Sequence, residues 1–563
     1  MGLLDVTLSS DSLVGSNLRG GASGGGWLYA LPRLSYDNVV CLGAPSAATL
    51  TGLARAGGRV TVLVAAPFAR RRLAGLVRAH GWAHVTVRRW SRSDWRDTDR
   101  IELLAVFDQG AAVRRRAARL HERLAGDGVA YYTREPAGPP PGAGQRVTLS
   151  LTPSHGEVRT VVPTHDRAMR RAVRSMGLEG TILSRPKLSR WERELTARLG
   201  LDGARRSATL VGGPLVDLSG APAYVRAIAA ADDVALDGWS YGVSARGNYD
   251  SQKILVLLTP AGVEEPTVVV KVTRSQAHAP RLQNEAAILG QVAQLRTSAG
   301  RTPVPWFSGF HAGRAVLGMS LMDGAPYTVT AALPPAGEAS DGSPGARRAH
   351  GQLADALGWL TDLAEETAHP ADSAQLATVL LTLLDRFERV YAPPQAEAAV
   401  LRAEFERLAD LDRPLPIVVQ HGDPGIWNLL VDGEGRTVFL DWESGEPDGM
   451  PLWDLLYLFR SHAIEAARRD GVSDRVEAAV RALTGAGPLP DLLVEAIRRY
   501  CQRVGLPLEA VEPLMLGCWL HRALKEAGRS SAANLDEGLS VRLLRRMLAE
   551  PDAPARQRLR PPT

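Results

Sequence analysis

The chain has 563 residues and a formal charge of +5; it is too long for one core, and its length suggests roughly three to four domains. Nearly half of it is apolar, yet no apolar run approaches the roughly 18 positions of a membrane span, so a spanning helix is not expected. Cys41, Cys501 and Cys518 stand in apolar surroundings without metal-ligand spacing and suit small buried residues in a reducing cytoplasm.

The opening stretch MGLLDVTLSSDS lacks the basic and apolar regions of a secretory signal, and Val6 stands where a myristoylation signal wants Ser or Thr, so a cytoplasmic protein is expected. From Asp37 to Arg134 short apolar runs alternate with helix-like stretches. NVVCLGA, RVTVLVA, HVTVRRW, IELLAVF and GVAYYT read as strands; AATLTGLARAG, ARRRLAGLVRAHG and AAVRRRAARLHERLAGDG read as helices. Such alternation predicts an α/β domain with a parallel, doubly wound sheet over residues 1–165. Within it, a hairpin is expected in RVTLSLTPSHGEVRTVVPT, turning at His155-Gly156.

Residues 166–235 read as a helical connecting segment, with helices in DRAMRRAVRSMG and RWERELTARLG. From Trp239 the pattern turns to β, and beyond Gly345 it is almost wholly helical except at 416 to 445. The last residues, 546–563, read as a disordered tail. Lysine occurs only at 187, 253, 271 and 525, so a surviving lysine is mildly favoured to stand where a guanidinium fork would not fit.

The polar interruption is HGDPGIWNLL, residues 421 to 430, preceded by the apolar run PIVVQ and followed by a hairpin pattern pairing NLLV with TVFL. An aspartate, an asparagine five residues on and a second aspartate after a short hairpin are what phosphoryl transfer from a nucleotide needs. One carboxylate serves the attacking hydroxyl, while an amide oxygen and a second carboxylate serve magnesium. A capped polar turn explains any one of His421, Asp423, Asn428 and Asp441, but not all four in order.

Through H-G-D-x-x-x-x-N and L-D-W-E the chain resembles the aminoglycoside phosphotransferase and choline kinase family, small-molecule kinases with a protein-kinase-like fold. The resemblance implies an α+β two-lobed arrangement: a small β-rich lobe over residues 236–325 and a large helical lobe over 326–545. It makes Asp423 the catalytic base, His421 an orienting residue of the catalytic loop, Asn428 and Asp441 the Mg2+ ligands, and Asp454 a support from the next helix. In TVVVKVTR it places Lys271 on the nucleotide's α/β-phosphates, paired with Glu285 of RLQNEAAIL. Gly242, Ser244, Gly247, Asn248 or backbone amides would cover the phosphates, and backbone from Ser320 to Met322 would meet adenine. The resemblance implies ATP as the nucleotide, with GTP as the alternative.

The acceptor implied is a small molecule bearing a hydroxyl, such as a sugar, an aminoglycoside or an amino-alcohol, with a carbohydrate slightly preferred. Glu443, Glu446 and Asp448 form an acidic stretch where related enzymes face cationic substrates, and Trp427 offers a wall on which a sugar face could stack.

The N-terminal stretch NVVCLGAPSAATLTGLARAGGRVTVLV resembles the first βαβ unit of a class I methyltransferase, a Rossmann-like domain. Only Gly43 of the usual glycine cluster stands, Cys41 replaces the common acid, and Val64-Ala65 end the second strand where ribose recognition wants a carboxylate. A degenerate scaffold or partner-binding domain is therefore expected. A bifunctional enzyme or a methyltransferase using S-adenosylmethionine is the alternative, and a nucleotide-binding pseudokinase the second. Arginines and tryptophans interleave over residues 61 to 125, but in an arginine-biased chain this is an ordinary surface, and nucleic acid is not favoured as a partner.

Overall fold

A computed structural model describes residues 25–90, 100–107, 111–133, 144–154, 157–176, 206–245, 251–327, 344–528 and 532–561. Among them no helix is long and apolar enough to cross a membrane. The described residues divide into two compact units: residues 25–283 with 305–321, and residues 284–304 with 322–561.

The first unit is built on one sheet of 13 strands. β1 (Tyr36–Leu42), β2 (Gly57–Val64), β3 (Val85–Arg89), β4 (Ile101–Val106) and β5 (Leu124–Tyr132) are parallel, in the order β3-β2-β1-β4-β5. The apolar runs of β1 and β4 are nearly continuous because both faces are covered. Val39, Cys41, Val60, Val62 and Leu103 pack with Leu50 and Leu53 of α1 (Ala47–Ala56) and Leu73 of α2 (Pro67–Ala79). Val40, Leu42, Leu63 and Leu104 pack with Val113, Ala117 and Leu120 of α3 (Ala111–His121) on the other face. That is the doubly wound arrangement. α3 stops short of the predicted helix because β5 begins at Leu124.

Beyond β5 the sheet continues through β6 (Arg146–Ser154) and β7 (Glu157–Pro163), an antiparallel pair as expected, although the turn between them lies outside the described residues. α4 (Arg167–Ser175) follows, capped by Asp166. The segment read as a helical connector departs from that reading: it contains β8 (Arg206–Gly212), which lies antiparallel between β5 and β6. Ala208 and Leu210 join one core and Val211 the other, so β8 is buried on both faces. The second helix expected there, RWERELTARLG, lies outside the described residues, and α5 (Ala223–Ala231) completes the segment.

The remaining five strands are antiparallel: β9 (Ser240–Ser244), β10 (Ile254–Thr259), β11 (Val268–Val272), β12 (Pro305–His311) and β13 (Arg314–Ser320), in the order β12-β13-β11-β10-β9. They form the small β-rich lobe. The sheet does not stop at β9, whose free edge pairs with β7 through Thr160↔Ser244 and Val161↔Val243.

The second unit is the large helical lobe. It takes α6 (Ala279–Val292) from Asn284 onward, then α7 (Pro344–Thr367), α8 (Ser373–Tyr391) and α9 (Gln395–Ala409). α10 (Trp453–Arg469), α11 (Arg475–Thr484), α12 (Pro488–Val504), α13 (Val511–Ala527), α14 (Leu539–Ala549) and α15 (Pro554–Leu559) complete it. Two small sheets interrupt the helices: β14 (Ala325–Pro326) with β17 (Leu429–Val431) and β18 (Thr437–Phe439), and β15 (His369–Ala371) with β16 (Leu415–Gln420) and β19 (Glu446–Gly449). The tail read as disordered is instead ordered through α15. Ala555 and Leu559 are buried, and the buried Arg556 pairs with Glu512 and donates to the Glu550 carbonyl at 2.8 Å.

Candidate active site

β16 delivers the chain to His421, and the turn that follows is held from behind by α10. Asp454 accepts the backbone N–H groups of His421 at 2.5 Å and Gly422 at 3.0 Å. Its burial pushes the carboxyl up to about 6, against the pull of those two donors and of Arg522. Position 422 has to be glycine: φ is +76°, and a Cβ there would lie 1.9 Å from the Ser444 carbonyl oxygen. Ser461 of the same helix accepts the Ile426 N–H at 3.2 Å.

His421 is completely buried. Its Nε2 lies 2.9 Å from the Leu440 carbonyl oxygen, and its Nδ1 lies 3.3 Å from the Asp423 amide nitrogen. One tautomer satisfies both: Nε2–H donates to Leu440 and Nδ1 accepts from Asp423. Burial drives the ring down to about 4, so this neutral form persists at physiological pH. The imidazole thus links the loop to the residue before Asp441, as an orienting group.

Asn428 closes the loop by donating Nδ2 to the Asp423 carbonyl at 2.9 Å and lying 3.5 Å from the Asp423 carboxylate, which directs its amide oxygen elsewhere. The β17–β18 hairpin pairs Leu429 with Phe439, and Leu440 N–H donates to the Asn428 carbonyl at 2.8 Å, so the ladder brings Asp441 beside Asn428. Asp441 has a left-handed backbone, φ +65°. This turns the chain so that Trp442 is buried against His421, with ring centroids 4.5 Å apart. Glu285 accepts the Trp442 N–H at 3.3 Å, and Asn284 donates to the carbonyls of Glu443 at 3.2 Å and Gly445 at 2.8 Å. An amide oxygen and a carboxylate on adjoining strand ends fit a hard divalent cation that takes few protein ligands.

The sequence-predicted residues fall into two sets. His421, Asp423, Asn428, Asp441 and Asp454 come together in the helical unit, with Glu285 tied to the backbone of Trp442 after Asp441. Trp427 is 57% exposed, and its ring meets Tyr457 edge-on at 6.1 Å. Glu443 is half-buried; Glu446 has its carboxyl pushed up by burial, and Asp448 is 3.1 Å from His369. In the sheet unit, Lys271 is buried in β11 on the face opposite Val268, Val270 and Val272, as its alternation predicts. Ser244 is buried at the end of β9, and Ser320 ends β13 opposite Val268. Met322 follows Leu321, whose N–H donates to Thr267 at 2.8 Å. Asn248 and Gly247 lie outside the described residues.

Three residues beside the loop escaped the sequence reading. Arg522 of α13 donates to the Gly422 carbonyl at 2.7 Å, lies 3.5 Å from the Asp423 carboxylate and stacks on the Tyr457 ring at 3.4 Å. Tyr457 itself is buried and interacts with the Asp423 carboxylate. Lys525, one turn beyond Arg522, is pushed down to about 8 by burial and by Arg522, against Glu446, Asp423 and Asp454. Scarcity of lysine was the one sequence signal that marked Lys525.

A carboxylate, an amide and a second carboxylate are held this way in the helical unit, and the sheet unit carries a buried lysine on its antiparallel strands. In agreement with the motifs, residues 243–489 match the model of the phosphotransferase enzyme family, APH. Among curated proteins none matches this chain. Among solved structures it is similar to the aminoglycoside phosphotransferase APH(3'')-Id from Streptomyces rimosus, at 17% identity over 50% of this chain and 90% of that one, TM-score 0.27. It is also similar to the choline kinase LicA from Streptococcus pneumoniae, at 16% identity over 51% and 93%, TM-score 0.26. The bifunctional kinase-methyltransferase WbdD is similar at 13% identity over 84% of each chain, TM-score 0.25. Likenesses of this level carry nothing about acceptor or chemistry.

Proposed function

We propose that the protein transfers the γ-phosphate of ATP, with Mg2+, to a hydroxyl of a small molecule. The observation that carries this reading is the fixing of the Asp423 loop by Asp454, His421 and Asn428, which holds one carboxylate forward while the β17–β18 ladder brings Asn428 and Asp441 to adjoining strand ends. In this reading Asp423 takes the acceptor hydroxyl's proton as that oxygen bonds to the γ-phosphorus, and ADP departs. Magnesium, when bound, would neutralise the phosphate charge between Asn428 and Asp441. Lys271 would hold the α/β-phosphates, and backbone from Ser320 to Met322 the base, ATP being favoured over GTP. Trp427 supports a carbohydrate as acceptor, since its exposed aromatic ring offers a sugar face an apolar wall.

The test pairs two variants in calorimetry and an ADP-formation assay. Asp423→Asn is expected to lower turnover by at least about a hundredfold and leave Mg·ATP affinity unchanged, because the group acts on the acceptor. Asp441→Ala is expected to remove the magnesium dependence of nucleotide binding. Unchanged Mg·ATP affinity in Asp441→Ala, or lost affinity in Asp423→Asn, would reverse the assignments.

A further inference from the structure

The acidic stretch after Asp441 is already matched by the protein's own cations. Asp448 is 3.1 Å from His369, and the charge of Glu446 is felt by Lys525 and Arg522. What stands beside Asp423 is a pair of fixed cations on one face of α13. The Arg522 guanidinium is 9% exposed and held flat on Tyr457, with one donor on the Gly422 carbonyl and one facing Asp423. A guanidinium has five N–H donors, so the fork keeps further donors in hand. Lys525 is half-buried, and among the described residues it forms no hydrogen bond or ion pair. Burial and the neighbouring Arg522 outweigh the attraction of Glu446, Asp423 and Asp454 and push the ammonium down to about 8. An acceptor carrying an amine would bring a third cation to this corner.

We infer that the acceptor presented to Asp423 carries an oxyanion, a phosphate or a carboxylate, near the hydroxyl to be phosphorylated, and that Lys525 and the unused donors of Arg522 bind it. This rests on the phosphotransferase reading and narrows its acceptor. Two cations 3 positions apart on one helical face, next to the base, would fix the hydroxyl's approach through charge-assisted bonds. The exposed ring of Trp427 would cover the body of the same molecule.

The experiment uses the full chain saturated with Mg2+ and a non-hydrolysable ATP analogue, whose own binding is measured first by calorimetry. Glycerol, glycerol phosphate, glycerate and ethanolamine are then titrated. The phosphate or carboxylate probe is expected to bind about tenfold more tightly than glycerol, and the better of the two tells which oxyanion the corner fits. Lys525→Gln should remove that preference, and Lys525→Glu should transfer it to ethanolamine. Neither variant touches the loop backbone, and a nucleotide titration confirms that each is folded. If nucleotide binds but no anionic probe outdoes glycerol, or if ethanolamine binds best to the unaltered chain, the oxyanion assignment is overturned. If the nucleotide itself fails to bind, the phosphotransferase reading falls, and the oxyanion assignment with it.

Discussion

His421 and Asp454 are two buried titratable groups joined through one backbone N–H, and their charges respond to pH in opposite senses. The His421 ring is held near 4 against an ordinary 6.5, so the fold accepts it neutral. Its contribution to stability is complete above 6.5 and is lost as pH falls through 4. The Asp454 carboxyl is held near 6 against an ordinary 3.8, so its contribution is complete below 3.8 and is lost as pH rises through 6. Each shift corresponds to about 3 kcal/mol, and between pH 4 and pH 6 the two slopes oppose one another. Thermal unfolding across that window should expose them separately. Relative to the unaltered chain, the midpoint of His421→Asn should fall as pH rises, because only the aspartate slope is left, and that of Asp454→Asn should climb. Midpoints of both variants running parallel to that of the unaltered chain would show that neither group titrates as its burial requires.

The pairing of β7 with β9 has a comparable bearing on the sheet. β9 carries Tyr241 and Val243 into the core, and its other edge is completed only by β7. The short 3-10 helix Gly26–Ala30 is pressed against both: a Cβ on Gly26 would lie 2.5 Å from the Val158 carbonyl oxygen and 2.7 Å from the Ala245 Cβ. A chain starting at Leu236 would therefore leave an apolar strand with an open edge, the condition that invites self-association. We expect such a truncation to associate in sedimentation and to bind Mg·ATP more weakly than the full chain. A monodisperse product with undiminished affinity would show the pairing to be dispensable. This junction could not be read from the sequence, because β7 and β9 are separated by α4, β8 and α5 and nothing local names a strand's partner. β1 and β4 were legible for the opposite reason: double burial writes itself as nearly unbroken apolar runs. β8 is buried on both faces too, but it is rich in small residues and flanked by helical patterns, so its strand character emerges only in the sheet.

The site divides along the same line. Its loop was legible because His421, Asp423, Asn428 and Asp441 fall within one hairpin of sequence, whereas Arg522, Tyr457 and Lys525 arrive on helices whose apolar periodicity conceals a few charged positions. The N-terminal half poses this problem for the whole chain, since its strand order permits a ligand crevice where the order reverses, outside the carboxyl ends of β1 and β4. Those ends are poorly equipped. β2 runs out at Val64-Ala65 into α2 with no carboxylate for a ribose, and Cys41 is fully buried with its thiol pushed up by burial. The neighbouring space holds the chain's own Trp27, 1% exposed, stacked on Tyr131 of β5 at 4.0 Å and edge-on to Phe107 after β4 at 6.0 Å. A packed indole contributes to the core and would have to leave before a purine could enter. Ligands that bind the native state raise its unfolding midpoint, by about 2.7 kcal/mol at a hundredfold excess over Kd, so one thermal-shift panel compares the two halves. Mg·ATP should raise the midpoint, with the rise lost in Asp441→Ala, while S-adenosylmethionine should leave it where it stands. A shift with S-adenosylmethionine that survives Asp441→Ala would mean that Trp27 gives way, and would make the first half a cofactor-binding domain rather than the scaffold that completes the sheet at β9.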